Sequence, residues 1–299
     1  MTILVIGSRG QVGRALLRSA PDALGVARDR VDLSDLRGLR AALEAVFDRQ
    51  PDIGAVINAA AYTAVDAAEN DEAAAAAVNA HAPGIIAAAC ADREVPLVHF
   101  STDYVFSGDA SAPYTPDQPT DPINIYGRTK RDGERAAMEA GGAVAVLRTS
   151  WVYDALGKNF LTTMLRLAET RDALSVVGDQ IGRPTYTGDL ARAALAAARR
   201  LQTQPSLSGT YHVSNTGEPV SWAGFAQAIF EGSGKDVSVT PIPTTDYPTP
   251  ARRPAYSVLD TTQFEAAFGH DLPSWRDALR RALAQGSEAG GPIAERGSS

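Results

Sequence analysis

The sequence predicts an α/β fold built on a doubly wound parallel sheet, with a smaller second domain towards the C-terminus. Three observations support this prediction: a length of 299 residues, a first half in which short apolar runs alternate with helix-length segments, and the absence of in/out alternation within those runs. A strand that is buried on both faces is apolar throughout, as in a parallel sheet covered by helices. At roughly 150 residues per domain, the length fits two domains.

Five strands and the helices between them follow from these runs. The strands are expected at 3–6, 24–27, 55–60, 97–101 and 144–148, and helical segments include 11–20 and 35–49. Short apolar runs separated by helices are typical of βαβ units, whose right-handed crossovers place helices on both faces of one sheet. Two proline-rich segments, 107–125 and 240–254, show no periodicity and are expected to be loops that could cover a ligand.

Composition argues against several classes of protein. The 28 basic and 35 acidic residues give a net charge of −7, which argues against a general nucleic-acid or anionic-membrane binder. No apolar stretch is expected to reach the roughly 20 residues of a transmembrane helix. The single cysteine, Cys90, lies in an apolar run and is expected to be a buried hydrophobe. With a strand-like segment at the N-terminus in place of a charged leader, these features predict a cytoplasmic protein.

Three glycines, Gly7, Gly10 and Gly13, follow the first strand and open the first helix. Such glycines allow a tight turn and a close approach of the backbone to a pyrophosphate, and the helix N-terminus offers N–H groups to the phosphates. The spacing is GxxGxxG rather than GxGxxG, and a purely structural turn could carry the same residues. Their position after the first strand favours a dinucleotide-binding (Rossmann) site.

The ends of the second and third strands are candidate cofactor contacts. Arg28, Asp29 and Asp32 follow the second strand, where an acidic side chain suits the ribose hydroxyl of NAD and an arginine suits the 2′-phosphate of NADP. Because both signals are present, the choice between NADH and NADPH stays open. The third strand ends in Ala59, Ala60 and Ala61, whose small side chains would let the backbone approach the cofactor.

The strongest group of candidate catalytic residues is Thr102 at the end of the fourth strand together with Tyr126 and Lys130. The tyrosine and the lysine are four residues apart and therefore share one face of a helix. A nearby ammonium is expected to lower the pKa of a phenol, which brings it closer to acid–base work near neutrality. The threonine hydroxyl could hydrogen-bond a substrate oxygen and stabilise developing negative charge. This pattern predicts carbonyl reduction with a nicotinamide cofactor.

With these motifs the chain resembles the extended short-chain dehydrogenase/reductase family and, within it, the dTDP-4-dehydrorhamnose reductases. The resemblance covers residues 1 to about 280, and the matching segments are GSRGQVG (7–13), NAAAYTAVDAAE (58–69), VNA (78–80), STDYVF (101–106), YGRTKRDGE (126–134), RTSWVY (148–153), NF (159–160), GDQIGRPT (178–185) and YPTPARRP (247–254). It implies NAD(P)H-dependent reduction of the C4 ketone of dTDP-4-dehydro-β-L-rhamnose to dTDP-L-rhamnose.

The resemblance also implies which residues carry the site. Thr102, Tyr126 and Lys130 would be the catalytic residues. The cofactor-binding residues would be Gly10, Gln11, Val12, Asp29, Ala59, Ala60, Ala61, Tyr126 and Lys130, and the sugar nucleotide would face Asp103, Tyr104, Tyr126 and Trp151, with Thr102 on the reacting oxygen. Arg253 could reach the pyrophosphate of dTDP, and the adjacent Arg252 could serve instead.

Domain boundaries are expected near residues 150 and 285. Residues 1–150 would form the dinucleotide-binding Rossmann domain, and 151–285 mainly a substrate-binding domain, with segments around 175–215 returning to the Rossmann sheet. Residues 286–299 are small and polar and are expected to be a disordered tail. Some members of the family bind Mg²⁺ at a dimer interface through glutamates, but Ala15 and Gly188–Asp189 stand near the matching positions, so no metal ligand is assigned. A monomer and a homodimer both stay open.

Three alternatives remain at this stage. The substrate could be another dTDP-4-keto-6-deoxysugar of an antibiotic-sugar pathway, because pocket shape alone decides the orientation of one hydroxyl. The same family contains a non-catalytic regulatory subunit of a methionine adenosyltransferase, although the intact Thr102, Tyr126 and Lys130 favour an enzyme. A dehydratase would place an Asp-Glu pair after the threonine, whereas Asp103-Tyr104 stands here, and an epimerase would retain its cofactor without net oxidation.

Overall fold

The computed structural model describes residues 2–288, which form twelve strands and eleven α-helices. The strands are β1 (Thr2–Ile6), β2 (Leu24–Val26), β3 (Ile53–Asn58), β4 (Leu97–Thr102), β5 (Val144–Thr149), β6 (Val152–Tyr153), β7 (Ala173–Val177), β8 (Ile181–Gly182), β9 (Thr185–Tyr186), β10 (Gly209–His212), β11 (Val220–Ser221) and β12 (Ser238–Ile242). The helices are α1 (Gln11–Ser19), α2 (Leu39–Arg49), α3 (Val65–Ala68), α4 (Glu72–Ala76), α5 (Ala82–Ala91), α6 (Ile125–Glu139), α7 (Phe160–Leu167), α8 (Thr187–Thr203), α9 (Trp222–Ser233), α10 (Thr262–Phe268) and α11 (Trp275–Glu288). A π-helical turn, Ala77–His81, joins α4 to α5.

The central sheet has six parallel strands in the order β10-β5-β4-β3-β1-β2. From β1 the chain runs to β2 on one side and then crosses to β3 on the other. In sheets of this kind ligands bind outside the carboxyl ends of the strands, where the direction of winding reverses. The candidate cofactor loops after β1 and β3 therefore lie side by side at the expected edge.

Helices cover both faces of the sheet. Successive side chains of each strand point to opposite faces, and since both sets are apolar, both faces must be covered. On one face Leu16 of α1 and Leu190 of α8 are buried in one cluster with Val5 of β1. On the other, Phe47 of α2 and Ile86 of α5 belong to a second cluster, which also contains Leu4 of β1, Ala137 of α6 and the buried Cys90. The predicted doubly wound α/β class is confirmed, as is the burial of the cysteine.

The five expected strands are confirmed, and the largest displacement is two residues, at β3. The second helix starts at Leu39, later than the expected residue 35, because the Asp35 carboxylate accepts the N–H of Gly38 at 3.1 Å and shapes a preceding turn. The proline-rich segment after residue 106 is irregular as far as Asn124. The expected loop at 240–254 is wrong at its start, because Pro241 lies in β12, a strand paired only with β7.

After β5 the chain builds a second layer and also returns to the sheet. Helix α8 joins the core beneath the sheet, and β10 pairs with β5. Helices α7, α9 and α11 and three two-stranded sheets surround a separate cluster that contains Phe225, Phe230 and Trp275. The expected disordered tail is wrong for residues 286–288, which belong to α11, and residues 289–299 lie outside the described residues.

One helical segment of the described residues, Glu72–Ala91, is long and apolar enough to cross a membrane. The expectation that no stretch reaches this length is therefore wrong, because a run of alanines makes the segment apolar on most sides. Half of it is buried inside the protein, and Ile86 and Ala87 are completely covered. Such burial is what the core helix of a globular domain shows.

Candidate active site

The loop after β1 and the first turn of α1 each need a glycine. Gly7 has a φ of +84°, and a Cβ there would lie 2.7 Å from the backbone nitrogen of Ala60. A Cβ on Gly13 would lie 2.2 Å from the carbonyl oxygen of Gly7. Helix α1 begins after Gly10 without a side-chain cap and with no acidic residue in its first turn. The N–H groups of this first turn therefore point into a narrow cradle suited to phosphate.

The charged residues beyond β2 are held in ion pairs, one of them with the glycine loop. Arg9 contacts Asp29 at 3.2 Å, and Arg28 contacts Asp32 at 3.1 Å; all four side chains are largely exposed or at the surface. The hydrogen bonds that Asp32 accepts from Ser34 lower the pKa of its carboxyl. Because both carboxylates and guanidinium groups lie at this edge, the geometry is compatible with the ribose hydroxyl of NAD and with the 2′-phosphate of NADP.

Asn58 and Asn79 shape the chain after β3. Asn58 is buried, and its Oδ1 accepts the N–H of Ala60 at 3.1 Å. Asn79, in the π-helical turn, accepts the N–H of Tyr62 at 2.8 Å and donates to the Tyr62 carbonyl at 3.0 Å. These bonds fix the backbone of the three predicted alanines, 59–61, between two anchors. Neither asparagine was assigned a role from the sequence, although both lie within the segments that carry the family resemblance.

Thr102 and Asp103 form a buried pair at the carboxyl end of β4. The Thr102 hydroxyl donates to Asp103 Oδ1 at 2.9 Å and accepts the N–H of Tyr104 at 3.1 Å. Burial raises the pKa of the Asp103 carboxyl to about 7, although hydrogen bonds from the hydroxyls of Ser257 and Thr102 lower it. Oδ2 of Asp103 makes no well-formed hydrogen bond among residues 2–288. An acid and a hydroxyl are thus held together at this strand end.

Helix α6 presents Tyr126 and Lys130 to this strand end. Asn124 caps the helix by accepting the N–H of Gly127 at 2.7 Å. A Cβ on Gly127 would lie 2.1 Å from the Tyr104 carbonyl, so glycine lets the helix approach the strand end closely. The Tyr126 and Tyr104 rings meet edge to face, with centroids 5.8 Å apart. Tyr126 is hydrogen-bonded to Thr102, and Nζ of Lys130 donates to the Phe100 carbonyl of β4 at 2.6 Å. The predicted Thr102, Tyr126 and Lys130 therefore lie at the same strand end.

The protonation of this group differs from the prediction. Burial raises the pKa of Tyr126 to about 12, the charge of Asp103 raises it further, and a hydrogen bond with Thr102 lowers it. The expected lowering of this pKa by Lys130 is wrong for this structure, because desolvation of the phenolate dominates. Burial also lowers the pKa of Lys130 to about 8, while the charge of Glu134 raises it. Tyr126 is thus a phenol at neutral pH, ready to donate a proton.

A line of contacts joins the glycine loop to the lysine. Gly7 lies against Ala60, whose N–H is bound by Asn58. Nδ2 of Asn58 is 3.1 Å from Nδ1 of His99, and Nε2 of His99 is 3.4 Å from Nζ of Lys130. The candidate cofactor cradle and the candidate catalytic pair are therefore parts of one site. His99 was not identified from the sequence, because a single buried histidine in a strand carries no spacing signal.

Trp151 is held in an unusual conformation by an aromatic stack. Its φ of +49° lies in a backbone region that residues other than glycine rarely adopt. Its ring stacks on the Trp222 ring, with centroids 3.6 Å apart. A Cβ on Gly182 would lie 2.6 Å from the Trp151 ring, so only glycine fits there. Backbone strain that the surroundings maintain is common at ligand sites. Trp222 lies 71 residues further along the chain and was not identified from the sequence.

Arg253 is already engaged by a carboxylate. Its two terminal nitrogens contact Asp66 at 2.9 and 2.8 Å, and this pairing lowers the pKa of the Asp66 carboxyl. Arg252, its neighbour, is exposed. The bond joins the YPTPARRP segment to the NAAAYTAVDAAE segment. The role of Arg253 towards a pyrophosphate stays a prediction.

Asp189, to which no metal was assigned from the sequence, has its carboxylate engaged by other side chains. Asp189 is buried, and its two oxygens contact Arg281 at 2.8 and 2.7 Å; Asn215 donates to one of them at 2.7 Å, and Arg192 pairs with the other. Ala15 has no oxygen to offer from its side chain. Within residues 2–288 no three His, Cys, Asp or Glu side chains are grouped to hold an ion.

Comparisons with known proteins identify the family of this chain. The family model described as "RmlD substrate binding domain" matches residues 1–287. The chain belongs to this family. A dTDP-4-dehydrorhamnose reductase of Burkholderia thailandensis is 46% identical over 93% of this chain and 97% of its own length. The predicted resemblance is thereby confirmed.

Two further relatives are named for a cofactor or a substrate. The crystal structure of a dTDP-4-dehydrorhamnose reductase from Bacillus anthracis in complex with NADP superposes with a TM-score of 0.86 at 34% identity, covering 95% of this chain and 99% of that one. A probable dTDP-4,6-dihydroxy-2-methyloxan-3-one 4-ketoreductase of Streptomyces antibioticus is 42% identical over 99% of both chains. Both relatives are named for reductases of sugar nucleotides.

Proposed function

We propose that this chain reduces the C4 ketone of dTDP-4-dehydro-β-L-rhamnose to dTDP-L-rhamnose with NADH or NADPH. The observation that carries the proposal is the meeting of Thr102, Tyr126 and Lys130 at the end of β4, joined by direct contacts to the glycine loop. The names of relatives that are 46% and 34% identical support the substrate and the reaction. A nucleotide-fold binding protein would not need a proton donor beside a buried lysine.

The residues present fit a nicotinamide cofactor. Glycines at 7 and 13 let the loop pack directly on the Ala60 backbone and on the first turn of α1, and the uncapped start of α1 would bind the pyrophosphate. Gln11, Val12 and the 59–61 backbone would line it, with Arg28, Asp29 and Asp32 on the ribose side. Oε1 of Gln11 is buried without a hydrogen-bond partner in the described part of the chain, as expected of a group that a ligand would satisfy. When bound, the cofactor supplies the hydride.

The chain's own residues provide the proton and the charge. The Thr102 hydroxyl can turn its proton from Asp103 to the ketone oxygen and hold that oxygen in place. The Tyr126 phenol then donates its proton to the developing alkoxide. Its high pKa does not prevent this step, because an alkoxide is a far stronger base than a phenolate. We propose that Lys130, one helical turn further on, holds the nicotinamide ribose beside the phenol.

The sugar nucleotide would lie between this group and the second layer. Asp103 and Tyr104 would line its sugar beside Tyr126. We propose that the Trp151 ring, fixed by Trp222, provides a flat apolar surface for a sugar face, which suits an indole. Arg253 would contact the pyrophosphate only by sharing its guanidinium with Asp66. The domain division follows from this placement: the sheet domain binds the cofactor and the second layer completes the sugar site.

An assay that presents the keto-sugar nucleotide with NADH and NADPH separately, each with and without EDTA, tests the proposal. We expect cofactor oxidation that requires the keto sugar and is insensitive to EDTA, with dTDP-L-rhamnose identified by NMR as the product. No oxidation with either cofactor would contradict the proposal, and oxidation abolished by EDTA would contradict the metal-free site.

A second candidate is a reductase of a different dTDP-4-keto-6-deoxysugar. The 42% identity to the Streptomyces antibioticus relative, over 99% of both chains, favours keeping this candidate. The catalytic steps would be the same, and the candidate substrates would differ in the hydroxyls of the sugar ring. Product NMR after competition between the two keto sugars distinguishes the candidates, because the preferred substrate is consumed first.

A further inference from the structure

A chain of three buried polar side chains leads from the cofactor loop to Lys130. Asn58 ends β3, His99 lies in the neighbouring β4, and Lys130 faces both from α6. The exposed fractions of these side chains' residues are 1%, 0% and 2%. Nothing in the proposed reaction uses His99 directly, yet it stands between a cofactor-loop residue and a catalytic one.

The hydrogen atoms of this chain can be assigned from its first link. The backbone N–H of Ala60 can only donate, so the atom that faces it at 3.1 Å must be the Asn58 oxygen. The Asn58 amide nitrogen then faces Nδ1 of His99, which must accept. Burial and the charge of Lys130 keep the pKa of His99 well below its usual value, so the ring is neutral. Its single proton is therefore on Nε2.

This tautomer directs an N–H group at the lysine. Nε2 of His99 is 3.4 Å from Nζ of Lys130, while Nζ donates to the Phe100 carbonyl at 2.6 Å. An ammonium has only donors, so the His99 N–H opposes it, whereas the lone pair of a neutral amine would accept that N–H. The imidazole therefore acts against the charged form of the lysine.

We propose that His99, held by Asn58 in the Nε2–H tautomer, is a positioning residue that orients the Lys130 amino group and controls how firmly that group holds its proton. The inference deepens the proposed function and rests on it for its kinetic consequence. In the reductase, His99 sets the pH above which Lys130 loses its charge. Because Asn58 binds both His99 and the N–H of Ala60, a change in the cofactor loop would also change this pH.

The other groups around the lysine do not replace this control. Glu134 lies one turn along α6 and is taken up by a buried ion pair with Arg148 of β5, whose closest N–O distance is 2.7 Å. Other titratable groups lie on the elements packed against α6: Asp103 and Tyr104 after β4, the buried Cys90 of α5, the exposed His81 in the π-helical turn, Glu72 of α4, which pairs with Arg128, and Asp66 of α3, which pairs with Arg253. On α6 itself are Tyr126, the paired Arg131 and Asp132, and the exposed Arg135 and Glu139. His99 is the group in direct contact from β4.

The tautomer can be measured without turnover by ¹⁵N NMR of histidine-labelled full-length protein. His212 provides an internal control, because its Nδ1 lies 2.9 Å from the Tyr114 carbonyl and must donate, so that its proton is on Nδ1. We expect opposite tautomers for these two buried histidines. A His99 ring protonated on Nδ1, or charged at neutral pH, overturns the inference whatever the enzyme's substrate.

The kinetic test compares His99→Gln with His212→Gln across the alkaline limb of kcat/KM. A glutamine at 99 can turn its oxygen to the ammonium, so we expect the apparent alkaline pKa to rise by about one unit. We expect no shift in His212→Gln, which removes an equally buried imidazole elsewhere. An unchanged limb in His99→Gln, or equal shifts in both variants, contradicts the inference. Activity of the wild type in the same assay tests the proposed function separately.

Discussion

At the residue scale, burial determines the chemistry of this site more than sequence spacing does. Spacing placed Tyr126 and Lys130 on one helix face, and the structure brings them to Thr102 as expected. Sequence spacing did not predict the protonation states of Tyr126 and Lys130, because the burial that raises the Tyr126 pKa to about 12 comes from residues far apart in the chain. His99 and Asn79 were missed for the same reason: their partners lie on other elements.

Asp103 gives a testable pH dependence of stability. Its pKa is about 7 in the folded protein and near the ordinary 3.8 in the unfolded chain, so the folded state holds the proton more firmly between these values. Stability contributed by this proton is present below pH 4 and is lost as the pH rises towards 7. We expect wild type to lose about 1–3 kcal/mol more than Asp103→Asn between pH 5 and 7.5. Urea unfolding at both pH values measures the difference, and parallel losses would refute the assignment.

At the element scale, glycines decide how closely the elements of the site approach one another. Glycine spacing predicted the turn after β1, because that motif is local. Glycine spacing could not predict that position 182 requires glycine, because the ring that leaves no space for a Cβ there belongs to Trp151, 31 residues earlier in the chain. Local pattern also recovered all five strands of the first half, but not β12, where a parallel partner overrides the proline.

Gly182→Ala tests the aromatic support of the sugar site. The added methyl would meet the Trp151 ring at 2.6 Å and displace it from Trp222. We expect KM for the keto sugar to rise about 3- to 10-fold, the worth of one aromatic contact, while cofactor affinity is unchanged. Near-UV circular dichroism should report loss of the stacked pair.

The matched control is Gly209→Ala, another strand glycine, where a Cβ would make an ordinary contact at 3.5 Å with a tyrosine side chain. An equal rise of KM in both variants, or an intact aromatic signal in Gly182→Ala, would show that Trp151 does not depend on this glycine.

At the scale of the whole molecule, the C-terminal helix is bound to the core through a buried charge. Asp189 at the start of α8 is 1% exposed, and Arg281 of α11 contacts both of its oxygens.

The doubly wound class was predictable because one half of the chain repeats a regular alternation. The small two-stranded sheets and this ion pair were not, because each joins short segments far apart in sequence.

Arg281→Met should destabilise the protein, because it leaves a buried carboxylate with only Arg192 and Asn215 as partners. We expect the free energy of unfolding to fall by about 1–3 kcal/mol. Arg280→Met is the control, since Arg280 pairs with the half-exposed Asp277 and should change stability by no more than about 0.5 kcal/mol. Equal effects in chemical denaturation would argue against the buried pair.

The most direct measurement of the central claim is single-turnover reduction of the keto-sugar nucleotide by wild type and by Tyr126→Phe, beside cofactor binding followed by fluorescence. The phenylalanine keeps the ring that meets Tyr104 but has no proton to give. The account predicts a loss of about 10²- to 10⁴-fold in the rate with cofactor affinity nearly unchanged. A variant that reduces the ketone at the wild-type rate would contradict it.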